Sequence, residues 1–207
     1  MIPRYTTVAL IVALSYEILL KLGHSFVPSL FAASPVIRTT SILSLFVALV
    51  IILFLVSFYG TERGNRKVGL LILILIGFMV VRSLGKLPIL RNAMDHRIFL
   101  LVREAFGFVQ SVLLFMLTML YARAIPSGGS LRQAAVLMVA MFGINVIKNM
   151  MALVFYTRFF VTGIAMEFQP AFLNIMLVIF LVTHASIVYF LCRYYQFKLV
   201  RGPAWQQ

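Results

Sequence analysis

The sequence predicts an all-α fold: a polytopic membrane helix bundle of about six transmembrane helices, with no soluble domain. Composition and the grouping of the apolar residues predict it. Of 207 residues, 63% are hydrophobic and 11% are Asp, Glu, Lys or Arg, and the mean hydropathy is +1.06. A soluble domain carries about 25% charged residues, so a chain this apolar needs lipid to cover it. The apolar residues also form long runs rather than recurring at helix or strand period. About 20 residues of helix cross a hydrocarbon core roughly 30 Å thick, which makes run length the deciding signal. Six such runs with short connections occupy residues 1–207 as a single transmembrane domain. That leaves no room for an ATPase, a kinase or another soluble catalytic unit.

The first span is expected at 5–22. Glu17 and Lys21 interrupt its apolar run, and Pro35 follows the small-residue stretch AAS at 32–34, so it reads as a retained helix rather than a cleaved signal. A connection through Pro28 and Pro35 leads to the second span, 39–59, whose LSLFVALVIILFLV carries no charge. GTERGNRK breaks the chain at Gly60 and Gly64. The third span, 68–84, contains GLLILILIGFMVV and fades at Arg82. SLGKLPILRNAMDHR is the most charged connection, and the fourth span follows at 98–122. PSGGS marks a turn before the fifth span at 133–156. Pro170 suits the start of the sixth, 170–191.

The net charge of +13 comes from 18 basic against 5 acidic residues. The basic residues punctuate apolar runs without forming a block, so the expected partners are the bilayer and its anionic headgroups. Nucleic acid is not expected. With six spans, the side carrying both termini has nine basic residues and the other has seven, leaving Arg103 and Lys148 within spans. That asymmetry favours cytoplasmic termini. The single Cys192 excludes an intrachain disulfide, and no Asn-x-Ser/Thr sequon occurs, which is compatible with a bacterial inner (cell) membrane.

Charges inside a span cost about 2.5–3.5 kcal/mol each on the insertion scale and call for a role. Glu17 and Lys21 share a face of the first span, and Arg82 closes the third. Arg103 and Glu104 open the fourth, where Glu104, Ser111 and Thr118 form a polar stripe at seven-residue intervals. Asn145, Lys148 and Asn149 share a face of the fifth. In the six-span topology Glu17, Lys21, Arg82, Arg103, Glu104, Lys148 and Asn149 all fall in the half of the membrane away from the termini. Basic groups outnumber acids there, as a site for a phosphate, a carboxylate or an anionic lipid head requires. Lys148 and Glu104 are the leading candidates, whereas Arg82 lies near enough to a span end to snorkel. The functional readings of His184 are a haem ligand or a proton relay, and a hydrogen bond to a neighbouring helix is expected ahead of either. Haem with two histidine ligands would need a second histidine at matching depth, and His24 and His96 lie in loops on the far side.

No metal site, cofactor or enzyme motif is expected: the chain has no Gly-rich phosphate loop, HExxH or GxSxG. The residues predict a membrane protein handling a small or lipid-linked anion, as a transporter, channel-like or sensory component. The alternative is a non-catalytic subunit of a larger membrane complex, and homo-oligomers are open to either. A membrane enzyme acting on a lipid-linked substrate ranks third.

Overall fold

A computed structural model describes residues 4–26, 45–57, 66–84, 95–125, 129–163 and 170–201, all but a few of them helical. Among these residues there are six helices and no strand. They are α1 (Arg4–Phe26), α2 (Leu45–Ser57), α3 (Arg66–Leu84), α4 (His96–Ala124), α5 (Ser130–Thr162) and α6 (Pro170–Arg201). Within α1, α4, α5 and α6 lie four stretches long and apolar enough to cross a membrane: Tyr5–Gly23, Arg97–Arg123, Ser130–Thr162 and Asn174–Tyr194. The described helix α2 is shorter, and the remainder of the expected span 39–59 lies outside the described residues.

Two helices are longer than their apolar runs suggest. The expected 133–156 becomes the 33-residue α5, and the expected 170–191 becomes the 32-residue α6. At 1.5 Å per residue each is close to 50 Å long, so each tilts or projects beyond a hydrocarbon layer of roughly 30 Å. Polar residues at span ends lowered the local hydropathy without breaking the helix. Helix termination depends instead on the capping chemistry. Asp95 is the N-cap of α4, accepting hydrogen bonds from the amides of Arg97 and Ile98 at 2.8 and 3.4 Å. Gly163 ends α5 in the left-handed region, with φ +68°, and donates its amide to the Phe159 carbonyl at 2.9 Å.

Neighbouring helices run antiparallel. In α1 and α6, Leu10 shares a cluster with Leu191, while farther along Glu17 meets His184 and Lys21 meets Phe180. In α4 and α5, Arg132 reaches Ala122 and Ile125 near the turn, and Asn149 reaches Gly107 farther on. Helix α2 joins the two halves, because Ile51 and Phe54 pack on both apolar clusters. One cluster contains Val68, Ile72, Leu75 and Leu117; the other contains Leu10, Leu14 and Leu191. Ile72 and Leu75 of α3 are fully buried.

Burial is uneven along the bundle. The buried residues of α5 are Leu131, Ala134, Ala135, Met138, Met141 and Phe142, all in its first half. The same asymmetry runs through the other three membrane-length helices. No described side chain of α1 beyond Leu14, of α4 before Gly107, or of α6 before Thr183 is buried. One end of these helices is therefore closely packed, and the end carrying Phe26, Asp95 and Gly163 is packed sparsely.

Candidate functional site

Lys21, Arg103 and Glu104 lie toward the sparsely packed end, and Glu17, Asn145, Lys148 and Asn149 lie near the middle of their helices, at two helix interfaces. Between α4 and α5, Glu104 accepts from the Arg103 guanidinium, with Nη2 at 2.6 Å and Nε at 2.8 Å from the same carboxylate oxygen. Adjacent helical residues do not normally face each other, but both side chains are long enough to fold together. The Arg103 side chain remains 44% exposed against 18% for Glu104. Its guanidinium carbon is 5.9 Å from the centre of the Tyr156 ring on α5, within cation–π range. Asn149 donates Nδ2 to the Gly107 carbonyl at 3.3 Å, so this face of α5 is turned toward α4. Asn145 precedes Asn149 by one turn and Lys148 lies beside it, both half-buried.

The stripe through Glu104, Ser111 and Thr118 has two parts in the structure. Ser111 and Thr118 are buried, at 2% and 8% exposure, and donate to the carbonyls of Phe108 and Phe115 in their own helix. Local bonding of this kind is what satisfies a hydroxyl among apolar neighbours. Those two residues therefore serve packing, and Glu104 remains the member of the stripe placed among other charged groups.

Between α1 and α6, the Glu17 carboxylate oxygen Oε2 is 3.3 Å from Nε2 of His184. Nδ1 of the same imidazole is 2.9 Å from the Phe180 carbonyl oxygen. The Phe180 ring lies against the imidazole with centroids 3.9 Å apart, and Lys21 Nζ sits 5.7 Å from the centre of that ring. Glu17 thus has a partner on the last helix. His184 has the expected contact with a neighbouring helix, and that contact is to a carboxylate. Neither spacing nor composition signals this pair, because the register between the first and last helices is set by packing across the bundle. The Arg82 side chain lies outside the described residues.

Among the described residues no three His, Cys, Asp or Glu side chains converge. Between α4 and α5 the Arg103 guanidinium lies over Tyr156 and the Asn149 amide reaches Gly107, while Lys21 lies by Phe180 between α1 and α6. No family model, curated protein or solved structure matches this chain.

Proposed function

We propose that the chain crosses a cell membrane six times, with both termini cytoplasmic, and binds a small or lipid-linked anion in its sparsely packed half. The observation that supports this reading most is the coincidence of two gradients. Burial fades along α1, α4, α5 and α6 from about the level of Glu17 and Lys148 toward the end nearer Lys21, Arg103 and Glu104. In this reading the ligand enters from the leaflet away from the termini, where the helices are packed less closely. Arg103, Lys148 and Lys21 supply positive charge, Asn145 and Asn149 supply amides, and Glu104 orients the Arg103 guanidinium. The composition of the 60–67 and 123–132 connections and of the tail supports the cytoplasmic assignment of the termini, as would suit a bacterial inner membrane. Binding of this kind serves a transporter or a sensor.

Native mass spectrometry of protein extracted in its own lipid with a membrane-solubilising polymer tests the reading. A lone chain or homo-oligomer with a reproducible anionic adduct is the expected spectrum. Lys148→Met removes one charge-assisted contact worth about 1.5–3 kcal/mol, so occupancy of that adduct should fall about ten- to a hundredfold. Stoichiometric recovery of other membrane chains, with no adduct, would replace this reading with the assembly-subunit one. The sparse half would then be a surface for those chains.

A further inference from the structure

We propose that Glu17 and His184 form a proton-binding site inside the membrane, holding one proton shared between α1 and α6. The argument is a count of donors and acceptors. A carbonyl oxygen only accepts, so the 2.9 Å approach of Nδ1 to the Phe180 carbonyl places a hydrogen on Nδ1. A neutral imidazole has one ring hydrogen, and with it on Nδ1 the other nitrogen presents a lone pair. Nε2 faces the Glu17 carboxylate at 3.3 Å, and an ionised carboxylate also only accepts. Two facing lone pairs, one of them on an anion, repel. The contact becomes attractive when one further proton lies between them. With the proton on His184, an imidazolium meets a carboxylate; with it on Glu17, a carboxylic acid donates to a neutral ring. Both forms contain the same number of protons, so the pair binds one as a unit.

Its position makes the proton consequential. His184 is the midpoint of the apolar stretch Asn174–Tyr194. Glu17 lies thirteen residues, about 20 Å, along α1 from Arg4. Ionisable groups at such depth pair with each other and mark proton relays or ligand paths in membrane proteins. The Phe180 ring stacked on the imidazole restricts its rotation and holds Nε2 toward α1. Loss of the proton leaves one negative charge between α1 and α6, with Lys21 one turn away as the nearest cation on α1. The other ionisable groups within about a turn and a half on the same helices are Tyr16 of α1 and Tyr189 of α6. Helix α5, which packs on α6, carries Lys148, Tyr156 and Arg158 in its second half. Helix α2 carries none. The site stands on its own geometry and does not require that an anion bind.

The test uses the full chain in native-lipid particles with its histidine ring nitrogens labelled with ¹⁵N. The chain has three histidines, so the signals missing from His184→Gln identify this one. Two results support the site. One is a ring with hydrogen on both nitrogens; the other is hydrogen on Nδ1 alone, with an infrared carboxylic acid band that disappears in Glu17→Gln. A ring with bare Nδ1 and hydrogen on Nε2 would overturn it, and so would a neutral ring beside an ionised Glu17. Glu17→Gln preserves the helix contact, because its amide donates to the bare Nε2, and it removes the extra proton. As pH is raised, the wild type should therefore release one more proton per chain than Glu17→Gln from this pair. Equal release from both proteins would also overturn the proposal, and the wild-type ring spectrum decides the matter if a variant fails to fold.

Discussion

Gly163 and Gly107 occupy opposite situations, and the same substitution separates them. At Gly163 the backbone has φ +68°, and a Cβ would stand 3.1 Å from the Arg97 guanidinium, which lies against this turn and over Phe159. An L residue in that conformation costs about 1–2 kcal/mol, and the guanidinium must also move. At Gly107 a Cβ would meet no atom within 4 Å, and the Asn149 amide bonds the carbonyl rather than the α-carbon. Gly163→Ala should lower the midpoint of unfolding in a detergent titration, whereas Gly107→Ala should leave it near the wild-type value. Equal midpoints would mean that the Gly163 turn opens at no cost. Hydropathy ends the span at 156, whereas the sign of the stop in the sequence is Gly163 itself, which supplies the left-handed backbone.

At the scale of the element, the α4–α5 hairpin is fixed at its closed end by one side chain. Arg132 donates from Nη1 to the carbonyls of Ala122 and Ile125, which belong to the unsatisfied last turn of α4. PSGGS announced the turn, but the clamp was not legible, because it depends on an arginine from the following helix folding back. Removing it leaves two carbonyls without that donor, a loss of about 1–3 kcal/mol. Arg132→Ala should therefore unfold at lower denaturant and exchange the amides at 120–125 faster. Arg132→Lys should recover part of the loss, since both bonds leave one nitrogen, Nη1, and an ammonium also carries several donors but on a shorter stem. If Arg132→Ala exchanged no faster than wild type, the turn would hold without the clamp. The existence of the helices themselves was readable because apolar runs of membrane length have no other stable form in lipid. Their lengths were less readable, since α5 and α6 continue through polar residues that hydropathy treats as endings.

For the whole molecule, the sequence showed how far along its helix each charge lies but not which of them touch. Position along a helix follows from counting residues, so the levels of Glu17, Lys21, Arg103, Glu104 and Lys148 on their own helices were accessible. Partnership depends on helix order and rotation, so Glu17–His184 and Arg103–Tyr156 emerged only from the fold. Alternation of the helices now gives the topology a direct test. In a Cys192→Ser background, which removes the chain's single exposed thiol, a cysteine is placed at one helix end at a time. Six crossings put Arg66→Cys and Ser130→Cys on the side of the termini, and Arg97→Cys and Thr162→Cys on the other. A membrane-impermeant thiol reagent added to intact cells should label the second pair, and the first pair only after the membrane is opened. Labelling of Arg66→Cys together with Arg97→Cys from outside would mean that α3 does not cross. With only the other helices crossing, the count is five and the termini lie on opposite sides. An odd count would make α1 and α6 cross in the same direction, against the antiparallel pairing that brings Leu10 to Leu191 and Glu17 to His184. The α4–α5 contacts of Arg103 and Asn149 would survive such a result, and neither the Glu17–His184 pair nor the inward assignment of both termini would.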